Sequence, residues 1–400
     1  MSIRILIALA SLLALTHPAM AKRAPGGWLS PSRYSAMVAV RFDRHRIIAS
    51  TARGFADPKT GRAVTIDDPV RVASISKLLV TLAVMRLVER KKLDLDADVS
   101  LALGWRVRNP AFPDTPITLR LLLSHRSSLT DDADYLIGLD DSVAHRLDDP
   151  KVWDASHLPG SYFRYTNLNF PVIATIMERQ TGERFDRLMA RLVFKPLHLD
   201  ACFNWTTCSD KQVARAVVLI AADGSVRRDG LDGVRPACPV IPAGDGSCNL
   251  AGYAIGTNGG LFSPQGGARI SMVDLARVGQ MLLAGGRGFL KVTSLRQMTV
   301  PQWQYNGQNG ETEKGFWCAY GLGVQTLAAN PDLCRDDPFG DKTIRIGHPG
   351  EAYGLRSGLW IDPKAHTGIA FFMTAVPDTE PTGRSAFTLA EEMIMQEQPR

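Results

Sequence analysis

Ser74 and Lys77 stand three residues apart in the run Val72-Ala73-Ser74-Ile75-Ser76-Lys77. Residues at that spacing share one helix face, so a lysine amine can reach a serine hydroxyl. The residues that follow (Leu78, Leu79, Val80, Leu82, Val84, Met85, Leu87, Val88) are apolar on most faces, so the helix predicted from Ser74 to Arg90 is a buried one. Burial disfavours an ammonium and lowers its pKa, which gives a neutral amine able to take the serine proton. The helix N-terminus adds a positive field and a backbone N–H for an oxyanion. The competing reading is a capping serine followed by a surface lysine, and S-x-x-K is short enough to arise by chance.

Two further groups belong to the same chemistry. Tyr165-Thr166-Asn167 precedes a helical pattern that begins near Asn169. A tyrosine can relay a proton to a leaving group, and an asparagine amide can hold both the lysine and a substrate carbonyl. His348-Pro349-Gly350 opens a glycine-punctuated strand, and because Pro349 has no N–H this strand is expected at a sheet edge, where an extended substrate docks. His366-Thr367-Gly368 is a decoy: it follows the polar turn Asp362 to Ala365 between two apolar strands and reads as hairpin structure. The nucleophile elbow G-x-S-x-G does not occur.

These groups need a scaffold. Strands are predicted over 34–42 and 46–52, around the turn Asp43-Arg44-His45, and again over 343–347, 355–362 and 367–375. A last helix is expected over 384–396. Between about 93 and 287 the pattern becomes helices and long loops: a short helix capped by Thr118, helices over 169–181 and 185–193 parted by Gly182, and one over 271–283 closed by Gly285-Gly286. The stretch 221–260, rich in Gly, Pro and Asp, reads as a stapled loop or small hairpin. The expected fold is α/β (α+β), with an antiparallel sheet flanked by helices plus an inserted all-helical lobe. The expected division is a leader at 1–21, a discontinuous α/β lobe from 22–92 and 288–400, and a mainly helical inserted lobe at 93–287.

The leader has a positive n-region (Arg4), an apolar run from Ile5 to Leu15, then Pro18 and the small-residue site Ala19-Met20-Ala21. That is the form of a secretory signal peptide, too short to span a bilayer, so an exported chain (periplasmic or secreted) with no transmembrane anchor is expected. The six cysteines then read as disulfides; short separations favour Cys202–Cys208, Cys238–Cys248 and Cys318–Cys334. No C-x-x-C or H-E-x-x-H spacing occurs, so neither metal nor cofactor is expected. The 400 residues carry 46 basic and 40 acidic side chains with no block of five Lys or Arg, so a nucleic-acid partner is not expected. The partner expected is a small-molecule or peptide substrate.

In order, S-x-x-K, Y-x-N and H-x-G resemble the penicillin-recognising serine hydrolases: class C β-lactamases, serine D-Ala-D-Ala carboxypeptidases and related esterases and amidases. Supporting stretches agree, among them Leu93-Asp94-Leu95-Asp96, the run T-L-R-L-L-L-S-H-R-S-S-L from Thr118 to Leu129, Pro159-Gly160, Gly259 to Ser263, Tyr320-Gly321-Leu322-Gly323 and Ile361-Asp362-Pro363, and the resemblance covers about residues 35–395. It implies a β-lactamase/transpeptidase-like fold and an acyl-enzyme at Ser74. It also implies Lys77 and Tyr165 as coupled base and acid, Asn167 as ligand of the lysine and the substrate amide, and His348 near the tyrosine. The oxyanion hole would be the N–H groups of Ser74 and Glu351, beside Gly350.

Two departures bear on substrate. Where such β-lactamases have Lys-Thr-Gly and the carboxypeptidases His-Thr-Gly, this chain has His348-Pro349-Gly350, which lacks a hydroxyl and a fixed positive charge. Efficient β-lactam hydrolysis therefore ranks below an ester, amide or D-amino-acid peptide substrate; the alternatives are a penicillin-binding sensor or a true class C-like β-lactamase. Arg356 is a replacement for the lost charge or a strand-surface arginine. Arg126-Ser127-Ser128 stands where the family has Thr-Ser-Gly, a change expected to alter packing.

Overall fold

A computed structural model describes residues 34–397 of the chain, and the leader expected at 1–21 lies outside them. The strand-forming segments from both ends share one antiparallel sheet. Its nine strands, in chain order, are β1 (Ala36–Asp43), β2 (Ile47–Asp57), β3 (Arg62–Ala63), β4 (Trp303–Gln304), β5 (Ala319–Tyr320), β6 (Gln325–Leu327), β7 (Arg345–Ala352), β8 (Leu355–Asp362) and β9 (Thr367–Met373). They lie side by side as β3-β2-β1-β9-β8-β7-β6-β5-β4. The first segment thus closes against the last, with Val38 opposite Phe372 and Val40 opposite Ala370.

Both faces of this sheet are covered, which is why its central strands are apolar at consecutive positions rather than at alternate ones. Ala36, Val38, Val40 and Phe42 point into the main core, while Met37 and Ala39 face a second layer with Trp360, Phe371, Ala390 and Ile394. That second layer is closed by a C-terminal helix, Leu389–Gln396, capped by a Thr388–Glu391 capping box. The helix begins five residues later than its apolar pattern predicted, because the backbone N–H groups of Arg384 and Ser385 bond to the carboxylate of Glu392 and hold that segment in a bend outside the helix.

On the inner face lie α1 (Ile75–Glu89) and α4 (Met272–Leu283), and α2 (Leu119–Leu123) and α3 (Asn169–Thr181) pack on each other within the same core. Thr118 caps α2 through Leu121 N–H, as its position suggested. The helix α4 packs on β1, β8 and β9. Gly279 makes that approach possible, since a Cβ there would stand 2.2 Å from the Phe42 ring.

The segment between α1 and β4 is not all-helical. Cys202–Phe203 and Ala268–Ile270 form a small sheet with Val70–Arg71, and Leu219–Ile220 pairs with Val226–Arg228 in a hairpin. These strands are two or three residues long, too short to leave a period-2 signal. The three cysteine pairs form as their separations favoured, with Cα–Cα distances of 5.0, 5.4 and 6.2 Å. Among the described residues no helix is long and apolar enough to cross a membrane.

The expectation for β7 needs one correction. The strand is not an edge along its whole length: Arg345 to Gly347 pair with β6 on one side while Ile346 to Ala352 pair with β8 on the other. Only from His348 onward is its β6 side open. The proline falls just past the last paired residue, where a missing N–H removes nothing from the ladder.

Candidate active site

The chain enters α1 through a strained corner. Ala73 has φ +47, the left-handed region that a non-glycine residue rarely adopts. Its conformation is held from both sides. Val72 N–H donates to Ala268 O (3.0 Å), Ala268 N–H donates to Ser76 Oγ (3.0 Å), and Ser357 Oγ donates to Val72 O (3.1 Å). Ser74 follows at the N-cap position, yet its hydroxyl makes no capping bond. It bonds instead to Lys77 Nζ at 3.0 Å. Lys77 is fully buried, so the capping-serine and surface-lysine reading fails on both counts.

Lys77 Nζ also donates to Asn167 Oδ1 (2.8 Å) and to the Gln265 carbonyl (3.1 Å), and it lies over the Tyr165 ring, 4.8 Å from its centre. Burial brings its pKa down to about 7, against an opposing pull from Asp131. A neutral amine is therefore well populated near neutral pH; its two N–H groups then serve Asn167 and Gln265 while its lone pair accepts from the Ser74 hydroxyl.

Burial pushes the Tyr165 phenol far above the usual range, against a smaller opposing pull from the Ser74 side chain. It is held as a neutral phenol. Its ring stacks on Trp317 at 4.3 Å and lies 4.4 Å from the ring of His125. His125 accepts at Nδ1 from Thr166 N–H (3.0 Å) and from Asn169 Nδ2 (3.1 Å), and burial holds its pKa well below the ordinary value. A neutral imidazole thus fixes the loop that carries Tyr165 and Asn167.

Asn167 is oriented by Asp131, a residue outside every motif quoted above. One Asp131 oxygen accepts from Asn167 N–H (2.8 Å) and Asn167 Nδ2 (3.0 Å), and the other from Leu168 N–H (3.0 Å). With Nδ2 held by the carboxylate, Oδ1 has to face the lysine. Asp131 follows closely on the motif-bearing run Thr118 to Leu129, which is the signal that marks it.

His348 lies 6.2 Å from Tyr165, ring centre to ring centre. Its Nδ1 sits 2.6 Å from the Pro349 carbonyl and its Nε2 2.8 Å from the Tyr320 hydroxyl. A carbonyl can only accept, so Nδ1 carries the proton and Nε2 accepts from Tyr320. Burial and the nearby Lys77 lower its pKa to about 3, so this residue is a neutral wall of the site and not a cation. Tyr320 belongs to the Tyr320-Gly321-Leu322-Gly323 stretch, but nothing in the sequence shows that its hydroxyl ends on His348.

The direction of the Glu351 N–H, the expected oxyanion donor, follows from the hairpin. The strands β7 and β8 are joined by the two-residue turn Tyr353-Gly354, with φ of +56 and +76. Such a turn is flanked by a hydrogen-bonded pair, here Ala352 and Leu355. Alternation makes Glu351–Arg356 and Pro349–Gly358 non-bonded pairs, so the Glu351 N–H points away from β8 toward the open side where Ser74 lies. Gly350 allows the approach: a Cβ there would stand 2.4 Å from Val72 O and 3.4 Å from Ala73 Cβ. The side chain of Glu351 faces outward and pairs with Arg356. That pair accounts for a carboxylate beside an oxyanion site, and it also engages the charge of Arg356.

Ser74, Tyr165, Asn167, Gly350 and Glu351 line one open cavity of about 900 Å³, together with Arg71, Tyr135, Trp205, Arg228, Glu313, Tyr353 and Arg356. Lys77 and His348 stand behind this lining. Of the Arg126-Ser127-Ser128 departure, Ser128 adopts φ +64 in place of the family's glycine, and its hydroxyl accepts from Asn109 Nδ2 (3.0 Å). Among the described residues no three His, Cys, Asp or Glu side chains could hold a metal ion.

A hydroxyl bonded to a neutral amine, beside a neutral phenol and two convergent N–H groups, is an arrangement suited to acyl transfer. A model of the Beta-lactamase family matches residues 28–391, so the chain belongs to that family, with its sheet-and-helix fold. Esterase EstB of Burkholderia gladioli is 32% identical over 189 residues, 44% of this chain and 48% of that one. Penicillin-binding protein 4 of Amycolatopsis lactamdurans is 30% identical over 150 residues, 37% and 39% of the two chains. The chain thus spans less than half the length of these curated relatives.

Solved structures match more fully. EstCE1, described as a hydrolase with promiscuous acyltransferase activity, aligns over 92% of this chain and 95% of its own with TM-score 0.67 and 22% identity. The D-amino acid amidase of Ochrobactrum anthropi SV3 aligns over 91% and 92% with TM-score 0.62 and 18% identity. At these identities the likeness establishes the fold. The chain is thus similar in sequence to an esterase and in fold to a D-amino acid amidase.

Proposed function

We propose that this protein is an exported serine acyl hydrolase that acts through a Ser74 acyl-enzyme on a small ester, amide or D-amino-acid peptide. The observation that carries the reading is the buried Lys77 amine bonded at once to Ser74 Oγ and Asn167 Oδ1. In the acylation step Ser74 Oγ attacks the carbonyl carbon and its proton passes to Lys77 Nζ. The oxyanion accepts from the N–H groups of Ser74 and Glu351. The bond to the leaving oxygen or nitrogen then breaks, that atom takes a proton from Tyr165, and Lys77 returns a proton to the phenol. Water attacks the acyl-serine in the same way, releasing the acid and restoring the Ser74 hydroxyl.

Esters and amides rank above β-lactams here because the third motif supplies neither a hydroxyl nor a cation for a ring carboxylate. His348 is neutral, Pro349 has no donor, and Arg356 is engaged by Glu351. The intact Ser74, Lys77, Tyr165 and Asn167 favour turnover over a sensor that only captures penicillin. Three disulfides and the leader-like N-terminus support an oxidising, extracytoplasmic compartment. The test is incubation with p-nitrophenyl butyrate, D-alanyl-D-alanine peptide and penicillin, followed by mass spectrometry and turnover assays. Adduct on Ser74 with ester or peptide turnover, both lost in Ser74→Ala, is expected. Full turnover by Ser74→Ala overturns the reading, and a lasting penicillin adduct with no turnover favours the sensor.

A further inference from the structure

One wall of the cavity is built from arginines that the reaction does not use. Arg71 and Arg269 are directly opposite each other in the small sheet, and Arg228 comes from the hairpin beside them. Arg71 and Arg228 lie on the ring of Tyr353, 5.7 and 5.3 Å from its centre. Burial, and after it the charges of Arg71 and Arg228, lower the pKa of Arg269 against an opposing pull from Asp229. Only Arg269 has an acidic partner, Asp229 at 2.7 Å, and it lies flat on Trp205 at 3.7 Å. Arg71 is 7% exposed, yet among the described residues it makes no side-chain hydrogen bond and no ion pair, and it faces the cavity. Its guanidinium is open to the cavity, so an anionic group entering there can replace water with charge-assisted hydrogen bonds.

Position along β7 says which part of a substrate this is. The oxyanion sits at the Glu351 N–H. Toward the start of β7 lies His348, with Tyr165 beside it, so the leaving group departs on that side, where Glu313 also lines the cavity. In the opposite direction, two residues beyond Glu351, stands Tyr353 with its two arginines. Resting on the acyl-hydrolase reading above, we propose that Arg71 and Arg228 form an anion subsite for the acyl group, so the preferred substrates are esters or amides whose acyl chain ends in a carboxylate. Acyl groups that carry a free ammonium are repelled there. Planar bidentate donors suit a carboxylate, and the Tyr353 ring keeps both guanidinium groups aligned.

The experiment compares the p-nitrophenyl monoester of glutaric acid with its neutral methyl glutarate counterpart, in the wild type, Arg71→Gln and Arg228→Gln. The wild type is expected to favour the anionic ester by at least about tenfold in kcat/KM, the scale of one charge-assisted hydrogen bond. The preference is expected to reside in KM, to weaken with added salt, and to fall toward unity in either variant. Arg228 is solvent-exposed, so Arg228→Gln keeps the test open if Arg71→Gln does not fold. Equal rates on the two esters in the wild type, or an unchanged ratio in folded variants, overturn the subsite and leave the hydrolase standing. If neither ester is turned over and Ser74 is not acylated, both readings fall.

Discussion

In the proposed reaction Lys77 sets the pH behaviour of the site, because its neutral form is the one that can accept a proton. Its pKa is depressed to about 7, below the ordinary lysine value, by burial. Below that pH the ammonium is filled and kcat/KM falls; above it the amine is free and the rate reaches a plateau. His348, lowered to about 3, and the strongly raised Tyr165 add no limb between pH 5 and 9. Asp131 pulls the Lys77 pKa upward, so Asp131→Asn is expected to move the acid limb of kcat/KM to lower pH. The same substitution loosens Asn167, and the plateau is expected to fall by about tenfold or more, the scale of a lost hydrogen bond to a charge. A pH–rate profile of the two proteins on one ester checks both effects. Ser74, Lys77, Tyr165, Asn167 and His348 were legible as motif members because reactive side chains at fixed spacing carry information in one dimension. Asp131, His125, Tyr320 and Trp317 act through tertiary contacts with residues that lie close in space, so spacing alone assigned them no role.

At the level of elements, the site is a meeting of the α1 N-terminus with the open half of β7. Gly350 is the residue that lets them touch, because its missing side chain leaves room for Val72 O and Ala73. Gly350→Ala is expected to reduce stability by about 1–3 kcal/mol through overpacking. By pushing β7 and its Glu351 N–H off the Ser74 corner, it is also expected to lower kcat by about a hundredfold, as displacements near 1 Å do. Urea unfolding together with steady-state kinetics separates the two losses, and a stability loss with undiminished kcat would count against an oxyanion role for β7. The buried helix and most long strands could be read from periodicity. The pairing of β7 could not, since Pro349 looks the same on a full edge strand and just beyond the last rung of a ladder.

For the whole molecule, the covalent staples bear on catalysis as well as stability. Cys318–Cys334 closes a loop of 16 residues next to Trp317, whose ring stacks on Tyr165. Replacing both cysteines by alanine is expected to reduce stability by about 2–4 kcal/mol and to lower kcat as Tyr165 loses its backing. Thermal unfolding and ester turnover under non-reducing conditions measure the two, and unchanged values for both would refute the link. By itself the sequence pointed to Ser74 and Lys77 as the proposed nucleophile and base, and to the order of the motifs, the antiparallel sheet shared by the two ends and the cysteine pairs. Each is written in local spacing or in a hydrophobic period that physics converts directly into structure. Only the tertiary structure decided that His348 is neutral and spent on Tyr320, that Arg356 is paired with Glu351, and that Arg71 and Arg228 face the cavity. Protonation state and charge pairing depend on burial and on partners distant in the chain, and a linear pattern does not encode them.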